Sequence, residues 1–108
     1  MRNTAFGIVG LETSLALTYT ELVEKGILTP LQMVEKMCWN PAQILRLESG
    51  TLQEGHPADV IVVNVEDEYA IDKNAFASKG KNTPFHGKKV KGKILYTICD
   101  SKIAYENA

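Results

Sequence analysis

The sequence predicts an α+β fold with the helices first and the strands second. Three observations predict it: apolar residues at helical spacing between Leu11 and Leu47, two helix-start signatures inside that stretch, and β-branched or alternating runs after residue 57. Composition agrees with one modest globular unit. The 108 residues are 44% hydrophobic and 23% charged, which excludes a disordered or fibrous chain.

The first helix is expected from Leu11 to Lys25, because Leu11, Leu15, Tyr19, Leu22 and Val23 recur on one face while Glu12, Thr20, Glu21 and Glu24 lie on others. Gly26 ends it, and Lys25 complements the helix dipole there. Thr29-Pro30-Leu31-Gln32 then writes a capping box with proline at the first helical position. Asn40-Pro41-Ala42-Gln43 repeats the device, so a third helix is expected after a joint at Trp39-Asn40. Leu31, Val34, Met37 and Cys38 form one apolar face, and Ile44, Leu45 and Leu47 another.

The remainder reads as strands. After the turn-rich Glu54-Gly55-His56-Pro57, the run from Ala58 to Val65 is β-branched and should be buried on at least one face. Glu68 to Ile71 continues it after a short turn, and Lys73 to Phe85 is an ordered loop. Val90 to Cys99 alternates around Ile94, Tyr96 and Ile98, and Asp100-Ser101 turns the chain into a last strand from Lys102 to Glu106. The helical segment is thus 1–47 and the β-rich segment 48–108.

Twelve basic against thirteen acidic residues leave a net charge of −1, so no overall field draws the chain to nucleic acid or an acidic membrane surface. The one basic run, Lys88-Lys89-Val90-Lys91-Gly92-Lys93, has no interleaved aromatic and reads as a solvated strand edge protected against aggregation. No apolar run approaches the roughly 20 residues that span a bilayer. Cys38 and Cys99 have no disulfide spacing, and reduced thiols in the cytoplasm are the expectation, with Cys38 buried and inert on an apolar helix face.

Few residues carry chemistry. His56 and His86 both lie in loops, and two histidines fall short of the three protein ligands a catalytic zinc needs. A Cys-His nucleophile is not expected either, since Cys38 reads as buried beside Trp39 and Cys99 falls at a strand end where Asp100 opposes a thiolate; Ser78, Asn82 and Thr83 read as ordinary loop residues. Gly7-Ile8-Val9-Gly10 lacks the further glycines of a dinucleotide fingerprint and the Gly-Lys-Ser/Thr of a P-loop. It has two readings: a tight entry to the helix, or a place where the N–H groups of Phe6, Gly7 and Ile8, before a helix N-terminus, receive a ligand.

Phe6-Gly7 with Gly10-Leu11-Glu12-Thr13, and the run Ser78-Lys79-Gly80-Lys81-Asn82-Thr83-Pro84-Phe85, resemble dihydroorotases of the amidohydrolase superfamily. Gly50 to Val60 resembles a stretch common to many amidohydrolases. The resemblance covers essentially the whole chain and implies the last quarter of such an enzyme: helices from the end of a (β/α)8 barrel, then part of a composite β-sandwich. It implies reversible hydrolysis of the dihydroorotate ring in pyrimidine synthesis, with zinc and the catalytic groups on earlier barrel strands. The positions it matches to substrate contact through the main chain are Phe6 and Gly7. Ala5 departs from the family's proline and loosens that loop. No catalytic or metal-binding residue is carried over, so the chain alone is expected to be inactive, to hold no zinc, and to self-associate, most simply as a twofold dimer that buries the helix face the barrel would cover or exchanges the hairpin from Val90 to Glu106 beside the sandwich's open strand edge. An allantoinase or hydantoinase segment, a non-catalytic self-associating module and a small metalloenzyme are the other readings.

Overall fold

The computed structural model describes residues 7–107. Helix α1 (Ser14–Thr18) passes directly into a wider π turn (Tyr19–Val23), and Gly26 at φ 77 closes it. The N–H of Ile27 donates to Leu22 O at 2.9 Å and that of Gly26 to Val23 O at 3.1 Å, the paired bonds of a Schellman end. Leu11 lies in the preceding turn and is 96% exposed, so the apolar face begins a turn later than its spacing predicts.

Helix α2 (Pro30–Val34) starts with the predicted box: Thr29 Oγ1 accepts from Gln32 N at 3.1 Å and Gln32 Oε1 from Thr29 N at 2.9 Å. The predicted joint at Trp39-Asn40 is absent. A π turn (Glu35–Trp39) leads without a break into α3 (Asn40–Ile44), with Trp39 and Asn40 both in helical conformation. Pro41 therefore sits inside a helix rather than at its start. Proline removes one helix donor and crowds the preceding turn, and a wide turn just before it is a usual way for a helix to carry that ring. The two π turns also stretch the burial period: Met33 and Ala42 are buried and Met37 and Pro41 half-buried, while Leu31, Val34 and Cys38 stand exposed. The expected face of Leu31, Val34, Met37 and Cys38 is thus split, and the Cys38 thiol is exposed rather than buried. Arg46, at φ 55, ends α3 in a second Schellman pair, with Leu47 N donating to Ala42 O at 2.8 Å.

Strands β1 (Val60–Asn64), β4 (Lys93–Cys99) and β5 (Lys102–Glu106) form an antiparallel sheet in the order β1-β4-β5. β2 (Tyr69–Ala70) continues the chain as expected but pairs with β3 (Lys89–Val90) in a separate ladder. A 3-10 turn (Lys73–Ala75) opens the ordered loop after it. No residue of β1 is fully buried, and Ile61 and Val62 are 41% and 42% exposed, so the expected buried face is only half covered.

The hairpin joining β4 to β5 has two central residues of positive φ, Asp100 at 51 and Ser101 at 64, the sign pattern of a type I′ turn. Neither is glycine. Their N–H groups are taken up by Asp59 Oδ1 at 2.8 Å and Ala58 O at 3.1 Å. This gives the Ala58-Asp59 pair of the amidohydrolase-like stretch a structural role.

The core cluster is small: Ala16, Ile71 and Val90, with Leu17, Tyr69, Phe76 and Phe85 packed against it. Gly92 makes this closeness possible. At φ 105 its backbone lies flush on α1, where an added Cβ would come within 3.3 Å of Ala16 Cα and of Leu15 Cδ2. Next to it, Thr20 Oγ1 accepts from Lys91 N at 2.9 Å. Lys88 pairs with Glu21 at 2.8 Å and Lys91 with Glu24 at 3.0 Å, so the basic run is in part a docking strip for the acidic helix face rather than a free edge. The radius of gyration, 15.4 Å, exceeds the roughly 13 Å of a compact domain this long.

Candidate functional site

Gly7 to Thr13 runs as extended chain and turn ahead of α1, and the loop from Ala77 to Asn82 is laced along it. Val9 N donates to Asn82 O at 2.8 Å, and the Asn82 side-chain amide donates to Gly7 O. At the other end, the Glu12 carboxylate accepts Ala77 N on Oε1 and Ser78 N on Oε2, both at 3.0 Å. These two amides are the main cause that holds the Glu12 carboxyl below its usual range. Between them Gly80 lies so close that an added Cβ would stand 2.9 Å from Val9 Cγ1.

The loop is also braced internally. Ser78 Oγ accepts from Gly80 N at 3.2 Å, Lys81 Nζ donates to Phe76 O at 2.6 Å, and Thr83 Oγ1 accepts from Phe85 N at 3.1 Å. Ser78, Asn82 and Thr83 are therefore working parts of a clasp and not ordinary loop residues. The signal that could have found this was present: both laced segments carry stretches resembling the same family.

Of the two expected substrate contacts, Phe6 lies outside the described residues. Gly7 is exposed, with no heavy atom within 4 Å of an added Cβ. Gly7 and Ile8 are not at a helix N-terminus, because a Gly10–Thr13 turn, closed by Thr13 N on Gly10 O at 3.3 Å, separates them from Ser14. The dipole argument for an anion there falls away; what remains is an open main chain held in place by Asn82. A cleft of about 520 Å³, lined by Leu11, Glu12, Thr13, Ile71, Phe76 and Tyr105 among others, does not include Gly7.

His56 Nδ1 lies 3.2 Å from Glu48 O. His86 Nδ1 accepts from Lys73 N at 3.1 Å, tying the 3-10 turn to the loop before β3. Among the described residues, no three of His, Cys, Asp and Glu converge as metal ligands, so they do not fit a zinc site. None of the described helices is long and apolar enough to cross a membrane.

Comparison with known proteins places this geometry. The model of the amidohydrolase family matches residues 1–104. The chain is 46% identical over 92% of its length to a dihydroorotase from Acetivibrio thermocellus, of which it covers 23%. It is 49% identical over 98% of its length to a dihydroorotase from Pediococcus pentosaceus, of which it covers 25%. Among solved structures, an L-hydantoinase (dihydropyrimidinase) from Arthrobacter aurescens superimposes with a TM-score of 0.87 at 35% identity, over 93% of this chain and 23% of that one. The chain thus spans about a quarter of the relatives it matches. From the laced Gly7 loop to the Asp59-held hairpin, the chain belongs to the amidohydrolase family.

Proposed function

We propose that this chain is the substrate-loop portion of a dihydroorotase, with residues 1–47 forming the end of a (β/α)8 barrel and 48–108 part of the composite sandwich beside it. The reaction is the interconversion of dihydroorotate and ureidosuccinate by opening and closing a ring amide, a step of cytoplasmic pyrimidine synthesis. The observation that carries the reading is the identity of 46% and 49% to dihydroorotases across nearly the whole chain. The open main chain at Gly7, pinned by Asn82, supports the role of Phe6 and Gly7 as contacts to the ring.

In this reading the zinc and the groups that hydrolyse the ring belong to the whole enzyme, and residues 1–108 alone neither turn over dihydroorotate nor hold an equivalent of zinc. The chain by itself self-associates, most simply as a twofold dimer: Leu31, Ile44 and Leu45, on or just past α2 and α3 and 77%, 79% and 67% exposed, give a second copy apolar surface to cover.

A chimera tests the assignment: the Pediococcus pentosaceus dihydroorotase with its matching quarter replaced by this chain. Ring opening of dihydroorotate is expected to survive. Because an added side chain at Gly7 meets nothing within the chain, Gly7→Val is expected to raise KM, whereas His86→Ala leaves the kinetics nearly unchanged. Equal effects remove Gly7 from the site. The second reading, a hydantoinase-type segment, rests on the L-hydantoinase superposition. It is favoured if the chimera opens hydantoin or dihydropyrimidine rings in preference to dihydroorotate.

A further inference from the structure

We propose that Glu12 is a positioning residue for substrate binding: its carboxylate, bridging the Ala77 and Ser78 amides, fixes the strap that holds the Gly7 loop in its receptive shape. This rests on the reading of Gly7 as a substrate contact.

Four hydrogen bonds and one close approach lace the two segments, and they fall in order. Glu12 meets Ala77 and Ser78, Val9 meets Gly80 and Asn82, and Gly7 meets Asn82. The strap therefore runs antiparallel to the loop and is fastened at both ends. At the Asn82 end the fastening is to the loop itself. At the Glu12 end it meets firm ground, because Glu12 adjoins Thr13, the 3% exposed N-cap of α1, and Ala77 adjoins Phe76, which packs against the core cluster.

The chemistry of the two fastenings differs. One carboxylate receives two main-chain N–H donors across 65 and 66 residues of sequence, a two-point bond to a charged acceptor that fixes direction as well as distance. Lys81 adds a favourable charge nearby. With that end free, the loop would be held to the strap only near Asn82, through Gly7 O and Val9 N, and would part from it more readily. A ring read through main-chain groups tolerates such a shift poorly, since a displacement of about 1 Å at a contact is felt strongly in binding and rate. Glutamine at this position keeps the shape of the side chain but turns one of the two acceptors into a donor facing an N–H.

Two measurements test the proposal. In the dihydroorotase chimera, Glu12→Gln is expected to raise KM roughly tenfold with kcat within about twofold. A purely structural role would lower the active fraction, and so kcat, and leave KM alone. That result overturns the proposal. Gly7→Val separates the two readings: raised KM for Gly7→Val with unchanged KM for Glu12→Gln leaves Gly7 in the site and removes Glu12, while unchanged KM for Gly7→Val removes the underlying reading. The second measurement needs no activity. Hydrogen exchange on the 108-residue chain with Glu12→Gln is expected to open the amides of Ala77, Ser78 and also Val9, while those of β1 and β4 stay protected. If Val9 keeps its protection when Ala77 and Ser78 lose theirs, the clasp does not govern the Gly7 loop and the proposal fails.

Discussion

Replacing Gly92 with alanine is expected to destabilise the chain by about 2–4 kcal/mol. Its φ of 105 lies where a side chain is strained whatever the space, a cost of about 1–2 kcal/mol. The space is also taken, because the new methyl meets Ala16 Cα and Leu15 Cδ2 at 3.3 Å and Tyr19 Cβ at 3.6 Å. Ala16 Cα is main chain in the core cluster and cannot swing aside, so the 91–92 segment must lift by a few tenths of an ångström. Lifting it stretches the Lys91 N to Thr20 Oγ1 bond, now 2.9 Å, whose loss adds about 0.5–1.5 kcal/mol. A chain with total stability of about 5–15 kcal/mol feels this strongly. Urea denaturation followed by circular dichroism reads it as a fall in midpoint on the order of 1–2 M with unchanged slope. Gly10→Ala is the control: with nothing within 4 Å of the added methyl, it should change stability by less than about 0.5 kcal/mol. Equal midpoints for the two variants would refute the claim that α1 and the β3–β4 turn are packed backbone to backbone.

Three other outcomes are expected. Ser101→Gly removes a side chain from a residue at φ 64 and should stabilise the chain by about 1 kcal/mol, read as a higher urea midpoint. Lys25 and Lys88 beside Glu21 hold its carboxyl at about 2, below the usual 4.5. The folded value is depressed, so this stabilisation is complete above about pH 4.5 and is lost as pH falls from there toward 2. Thermal midpoints measured through that window should fall less steeply for Glu21→Gln, and high salt should weaken the difference. Light scattering across a dilution series is expected to show association of the isolated chain, and a compact monomer at micromolar concentration would rule out the self-association read from exposed Leu31, Ile44 and Leu45.

What was legible in the sequence were the features written locally. The Thr29-Pro30-Gln32 start and the Gly26 stop each depend on a few adjacent residues whose backbone preferences suffice. What was not legible depended on distant partners or on a change of period. Asn40-Pro41 imitates a helix start, yet the π turn before it lets the helix run on, and the same wide turns rotate Cys38 outward. Lys88 and Lys91 look like a free basic edge until Glu21 and Glu24 arrive from the other half of the chain. The strap was hidden for the same reason: nothing near Glu12 in sequence says that its carboxylate belongs to Ala77 and Ser78. The resemblance singled out Gly7 without the residues that hold it.

The hairpin at Asp100-Ser101 has a consequence for how this chain folds. A two-residue turn with positive φ at two non-glycine positions is a weaker nucleus than one carrying glycine, since Ser101 in particular does not favour that conformation in isolation. Its N–H groups find acceptors only on Ala58 and Asp59, so the turn is secured when β1 arrives alongside β4. Bringing Asp59 to Asp100 closes a loop of 41 residues, at an entropic cost of about 3 kcal/mol before any contact repays it. β4 and β5 are therefore expected to gain their turn as β1 docks rather than to form early as a local ribbon. Asp59→Ala is accordingly expected to slow refolding as well as weaken the folded chain, and an effect confined to faster unfolding would place this contact after the transition state.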